Sequence, residues 1–248
     1  MPVEYIKIIG ERNSGTNYIE KIINENFHAA FLPGSIPRLL NKTLGCEFVR
    51  DYYFKKTQHK NLGWKHAVAP TNNFLESVGM KDSVGFVAIA KNPYAWLLSM
   101  FRRPYHLHTE QQTFDQFIRR ECKTVLRERH ADPYKSPMDM WNKKNRSYAE
   151  LCNYAQGLTI PYESILSAPD VWLQLIQDRF SLVKKAACSV NINEDVKGGK
   201  NNLAFYKDYY LNRRWLEKLT LDQISRINQS LDESVMQAFG YKKINCNE

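Results

Sequence analysis

The run Val84 to Ala90, VGFVAIA, carries no polar side chain over its whole length. A strand with one wet face alternates apolar and polar residues, so a run apolar on both faces belongs inside a parallel sheet covered on each side. Lys91-Asn92-Pro93 follows at once. Asn caps helices well and Pro suits the first helical position, so a helix is expected through Phe101. The same succession opens the chain: Glu4 to Ile9 reads as a strand ended by Gly10. Thr16 to Phe27 then places Tyr18, Ile19, Ile22, Ile23 and Phe27 at the spacing of an amphipathic helix. Weaker signals predict short strands at Leu62 to Val68 and Leu158 to Tyr162. Helical character is expected from Thr113 to Gln156, broken near Asp132-Pro133 and Ser136-Pro137, and again from Pro169 to about Asp178. Thr220-Leu221-Asp222-Gln223 has the form of a capping box that opens a last helix. Alternating strands and helices predict an α/β fold, a central parallel sheet flanked by helices of the P-loop nucleotide-binding type. No linker or repeat interrupts residues 1–248, which are expected to form a single domain.

The first chemical signal is the turn Gly10-Glu11-Arg12-Asn13-Ser14-Gly15-Thr16-Asn17. A loop between a buried strand and a helix start presents backbone N–H groups and the positive helix end to an anion. Ser14, Thr16 and Asn17 add side-chain donors, and Arg12 adds a charged fork. The spacing of Gly10 and Gly15 matches the nucleoside-triphosphatase P-loop, in which Lys and then Ser or Thr should follow. Thr16 and Asn17 stand there instead, and VGFVAIA ends in Lys91 rather than an acidic metal ligand. The loop is therefore expected to hold phosphate without a metal, which weighs against a kinase.

Arg12 to Tyr18, RNSGTNY, resembles the 5′-phosphosulfate loop of P-loop sulfotransferases. That family places its basic residue directly before Ser, whereas here Asn13 intervenes. Arg12 and Asn13 thus compete for the spot nearest the bridging oxygen, with Arg12 favoured because it is charged. Val87 to Phe101 is similar to the family's 3′-phosphate motif, with Lys91 at the strand end and Ser99 eight positions on. Lys91 stands where the family usually has Arg, and so keeps the charge without the bidentate fork. Ile160 to Leu166 resembles the family's Tyr-Glu-Asp-Leu segment, and Leu219 to Tyr241 its closing helix and Phe-Gly-Tyr end. Lys197, Gly198 and Lys200 lie where the family often sets a basic loop over the 3′-phosphate. Phe31 to Lys60 and Arg102 to Ser147 match no motif.

The resemblance implies sulfuryl transfer from 3′-phosphoadenosine-5′-phosphosulfate (PAPS), as co-substrate and without a metal. The acceptor would be a hydroxyl or amine of a small molecule or glycan. It also implies a catalytic His after a strand between the two motifs. His66 is the candidate base, with Lys65 assisting Arg12 at the donor's bridging oxygen. A neutral His accepts a proton near pH 7. His59, His106, His108 and His130 are expected at the surface, with His106 and His108 placed to line an acceptor cleft. Glu163 is the alternative base, as carboxylates are in some relatives, though its segment match suggests a structural role; Trp141, Tyr148 and Tyr154 suggest core packing ahead of sugar stacking.

The formal charge of +9 favours an anionic partner. The basic residues form no contiguous stripe, so nucleic acid is not expected, and a small-molecule kinase or a basic nucleotide- or nucleic-acid-binding module are the alternatives. No apolar run reaches the ~18 residues that span a bilayer. Met1 to Gly10 lacks the pattern of a signal peptide. Five scattered cysteines without a C-x-x-C pair suit reduced thiols, so a cytoplasmic location is expected.

Overall fold

The computed structural model describes residues 2–37, 39, 46–105, 113–123, 125–194 and 201–245. At its centre, β4 (Val84–Ala90) has all seven residues buried, as the apolar run requires. Phe86, Val87 and Ile89 are each removed from water, at about 1.5–3 kcal/mol apiece. On one side β4 pairs with β1 (Tyr5–Ile9), in the register Ile9 to Ala88. On the other it pairs with β5 (Gly157–Pro161). A short β3 (Ala30–Phe31) extends the sheet past β1, giving the order β3-β1-β4-β5 with every pair parallel. A separate antiparallel pair joins β2 (Phe27–His28) to β6 (Val183–Lys184).

Parallel neighbours need crossover segments, and helices supply them. α1 (Thr16–Asn26) leaves β1; α2 (Glu47–Asn61) and α3 (Asn72–Ser77) lie between β3 and β4; α4 (Pro93–Arg102) leaves β4. Asn92 caps α4 by accepting from the Tyr94 amide, with Pro93 in the first turn, as expected. The predicted Thr113–Gln156 helix is in fact three pieces: α5 (Phe114–Arg119), a 3-10 turn (Leu126–Glu128) and α6 (Pro137–Tyr154). Thr113 and Gln116 form a reciprocal capping box for α5, and Ser136 caps α6 ahead of Pro137. These local stop and start signals divide the stretch. After β5 come α7 (Tyr162–Ser167), α8 (Pro169–Phe180), α9 (Leu203–Leu211), α10 (Leu221–Ser230) and α11 (Glu233–Ala238). The Thr220–Gln223 capping box is present with both bonds made.

The strand expected at Leu62 to Val68 is absent. Leu62 and Gly63 both take left-handed φ, 59° and 87°, which breaks an extended run. The segment instead turns against the first loop: the Gly10 amide donates to Lys65 O at 3.0 Å, and the Lys65 amide to Gly34 O at 3.0 Å. One continuous core runs from Ile6 to Tyr241 and includes Trp96, Trp141 and Tyr148, each fully buried. Lys7 sits inside it, its ammonium donating to the carbonyls of Pro33, Asn61 and Gly63 at 2.9, 2.6 and 2.7 Å. Burial holds that group well below the usual lysine range.

Candidate functional site

Because β1 and β4 are parallel neighbours, their C-terminal ends lie side by side at one sheet edge. The two loops that leave them line a single cavity of about 370 Å³. Arg12, Asn13, Gly15, Thr16 and Asn17 come from the first loop, Lys91 and Ser99 from the second, and His66 stands with them in the wall. Ligand pockets concentrate where strand ends of an α/β sheet meet helix starts.

The first loop is shaped by two close approaches. A Cβ on Gly10 would lie 2.4 Å from the Ile89 carbonyl oxygen of β4. Gly15 has φ 95° and occupies the N-cap of α1, where a Cβ would lie 2.4 Å from the Tyr162 ring. Among the described residues no side chain caps α1, so its first-turn amides keep their donors for an anion. Asn13, at φ 63°, spans to α4: its Nδ2 donates to Ser99 O at 3.4 Å and contacts Met100 Sδ at 3.1 Å. Ser14 is buried and does not line the cavity.

Arg12 lines the cavity but is 3% exposed, and its guanidinium is held from behind. Nε pairs with Glu11 Oε1 at 3.0 Å and Nη2 with Glu128 Oε1 at 2.9 Å. Lys144 of α6 meets both carboxylates, Glu128 Oε2 at 2.9 Å and Glu11 Oε2 in a closer pair. Burial alone would raise the Glu11 carboxyl, but the charges of Lys144 and Arg12 outweigh it and hold it down at about 2. Two acids and two bases thus close a neutral buried cluster, which satisfies charges that would be costly alone. Glu128 and Lys144 gave no signal in the sequence, since they stand far from the first loop along the chain and belong to no motif; Glu11 lies inside that loop, but nothing in the spacing marked it as the partner of Arg12.

His66 Nδ1 lies 2.6 Å from Gly10 O. A carbonyl oxygen only accepts, so Nδ1 carries the hydrogen and Nε2 is left with its lone pair. Burial, joined by the charges of Lys65 and Arg12, pushes the imidazole down to about 3, so the ring is neutral near pH 7. Trp64 stacks edge-on against it at 5.0 Å. Lys65 points elsewhere: its Nζ donates to Asn17 Oδ1 at 2.7 Å and pairs with Glu20 Oε2 at 3.0 Å, and the residue is not in the cavity wall.

At the second loop Lys91 is 4% exposed. Its Nζ donates to Tyr210 OH at 2.9 Å and lies 4.4 and 4.2 Å from the ring centres of Tyr162 and Tyr210. The Ser99 hydroxyl donates to Ala95 O at 2.9 Å and also meets Tyr210. Lys91 and Ser99 therefore converge on one hydroxyl. Burial would raise the Tyr210 phenol, yet the adjacent Lys91 charge lowers it. Glu163 braces the loop, accepting from the Asn92 amide at 3.2 Å and from Tyr241 OH at 2.7 Å. Burial raises its carboxyl.

An aromatic wall faces the two loops. Phe205, Tyr206, Tyr209 and Tyr210 of α9 line the cavity, stacked in the pairs 205/209 and 206/210. Helical spacing alone cannot tell such a wall from core packing, and no motif marked it. Arg102 and Arg103, which no sequence motif singled out, also line the cavity. With Arg12 already balanced by its buried partners, the described residues of the wall still carry Lys91, Arg102 and Arg103 against one acid, Glu194, and such a balance favours an anionic occupant.

Lys197, Gly198 and Lys200 lie outside the described residues, as do His106 and His108. His59 is exposed, and His130 stacks on Tyr134 away from the cavity. Cys46, Cys122, Cys152 and Cys188 are free thiols. No helix among the described residues is long and apolar enough to cross a membrane. No protein-family model matches the chain, and no curated protein matches it.

Proposed function

We propose that the chain is a P-loop sulfotransferase that moves a sulfuryl group from PAPS to a hydroxyl or amine. One observation carries this: the two loops that resemble the family's 5′- and 3′-phosphate motifs line one cavity, with a neutral His66 in its wall. An adenine nucleotide with phosphate at both ends needs two anion cradles within one molecule's reach. The first-turn amides of α1, with Thr16 and Asn17, receive the 5′ end; Lys91, Ser99 and Arg102 receive the 3′-phosphate; and the aromatic wall of α9 offers faces for the base.

The chemistry follows from that placement. His66 Nε2 accepts the acceptor's proton as the acceptor oxygen or nitrogen bonds to sulfur. The bond from sulfur to the bridging oxygen breaks, and 3′,5′-diphosphoadenosine leaves with the electron pair. Burial makes His66 hold a proton poorly, which leaves its Nε2 lone pair free. The donor's negative charge raises its proton affinity toward the working range when the cavity fills. Arg12 enters as a braced wall rather than a mobile finger, since Glu11 and Glu128 already hold Nε and Nη2. The helix start and Lys91 supply the less neutralised positive potential for the leaving diphosphate. Lys65 acts through Asn17, whose side chain it orients.

Calorimetry with 3′,5′-diphosphoadenosine, ATP with Mg²⁺ and an oligonucleotide separates this from a kinase or a nucleic-acid module; only the first should bind tightly. His66→Ala should remove labelled-sulfate transfer, a loss of about 10²–10⁴-fold, while nucleotide binding stays within about threefold. Tight ATP binding that depends on Mg²⁺, or undiminished transfer by His66→Ala, would refute the assignment.

A further inference from the structure

Behind the cavity, one lysine joins three separate segments: the first loop, the 3-10 turn and the His66 main chain. Lys144 is fully buried on α6. Its ammonium donates to the main-chain oxygen of His66 at 2.8 Å and pairs with Glu11 of the first loop and Glu128 of the 3-10 turn. Those carboxylates pass the restraint on. Glu11 Oε1 accepts from the Arg12 amide at 2.6 Å and pairs with its Nε, and Glu128 Oε1 holds Nη2. Glu128 O accepts from the Val68 amide at 2.9 Å, just past His66. Tyr148, one turn along α6, donates to Ala67 O at 3.0 Å, so the main chain is held on both sides of Ala67.

We infer that Lys144 is a positioning residue of the site: its three contacts lock the first loop, Glu128 and the His66 main chain into one unit that sets where the imidazole stands and which charges surround it. The kinetic part of this inference rests on the sulfotransferase proposal; the structural part does not. A neutral isostere would not serve, because two buried carboxylates would then share Arg12 alone, with one negative charge left unbalanced. Nor would Arg serve, since a planar fork does not fit three acceptors grouped around one nitrogen. The groups facing His66 are Glu11 and Arg12 from the first loop, Lys65 beside it, and Lys144 and Tyr148 from α6. Glu128 acts through Lys144. With all charges present, Glu11 and Glu128 are balanced by Arg12 and Lys144.

The test is an NMR titration of ring-labelled histidine in the full chain, with sulfate-transfer kinetics alongside. Lys144→Met leaves the cluster one negative charge in excess, so His66 should take up its proton about one pH unit higher than in wild type. Glu128→Gln leaves one positive charge in excess and should produce no upward shift. Lys144→Arg keeps the charge and should titrate as wild type does, yet lose about tenfold or more in kcat because the ring is displaced. In both Lys144 variants the Kd for 3′,5′-diphosphoadenosine should stay within about threefold of wild type. A lysine that served stability alone would leave kcat unchanged in the folded, charge-conserving Lys144→Arg variant. The inference is overturned if Lys144→Met leaves the titration unmoved, or if Glu128→Gln raises it as well. Should Lys144→Met fail to fold, Lys144→Arg decides: an unchanged kcat overturns the inference. If wild type transfers no sulfate while His66 still responds to charge as described, the sulfotransferase proposal fails and the positioning role stands.

Discussion

Replacing Lys91 by Met removes one charge from the cavity while keeping most of the aliphatic stem that lies between the Tyr162 and Tyr210 rings. In the free protein the ammonium is held by Tyr210 OH at 2.9 Å and by two ring faces at 4.4 and 4.2 Å. A charged hydrogen bond to phosphate is worth about 1.5–3 kcal/mol. Partly leaving the aromatic faces returns about 0.5–1 kcal/mol of that. The net is about 1.5 kcal/mol, or about tenfold in Kd. The loss should fall on 3′,5′-diphosphoadenosine alone. Adenosine 5′-phosphate has nothing at the 3′ position for Lys91 to hold, so its Kd should change by less than about threefold. Isothermal titration of both nucleotides against wild type and Lys91→Met reads the ratio directly, and a general loss of fold would weaken both together. Equal losses for the two nucleotides, or none for either, would refute the assignment of Lys91 to the 3′-phosphate.

Gly15→Ala forces a side chain onto a residue at φ 95° and drives its Cβ to 2.4 Å from the Tyr162 ring. About 2 kcal/mol of stability should go, a Tm loss of about 4–8 °C by calorimetry, and an unchanged Tm would contradict the geometry. Acid should weaken the fold in two steps. His66 is held at about 3 against an ordinary 6.5, and Glu11 at about 2 against 4.5, so in both cases the unfolded chain binds more protons. Stability should therefore fall as pH drops from about 6.5 toward 3 through His66, and from about 4.5 toward 2 through Glu11. Urea midpoints against pH for wild type and His66→Asn should diverge between pH 6.5 and 4.5; parallel curves would show that His66 is not buried neutral.

The elements that place the site were legible because their signals are local. VGFVAIA needs two covered faces, and Asn92-Pro93 can only begin a helix there. The two loops were likewise singled out by short spacings, and they line one cavity. The Lys65–His66 segment was not, because an apolar run with Gly63 in it looks like a strand until its φ angles are known. Its real anchor is a pair of main-chain bonds to Gly10 and Gly34, which leave no trace in side-chain pattern. Arg12 was readable as a charged fork in the first loop, whereas its confinement depends on Glu128 and Lys144, residues 116 and 132 positions away that only folding brings together. The aromatic wall of α9 failed for a different reason: tyrosines four apart on a helix pack into cores as readily as they face a cavity.

The backbone oxygens of Arg12 and Lys91 are each claimed by a tryptophan, Trp96 Nε1 at 2.8 Å and Trp141 Nε1 at 3.1 Å. An indole donates only one hydrogen and swivels little once encased, so each loop is aimed by a rigid bracket rather than by the ligand it awaits. The aperture is thus already cut to size, and little ordering entropy is left to lose when an occupant arrives. Drift of the loops' own side chains would change what the aperture grips without changing its shape.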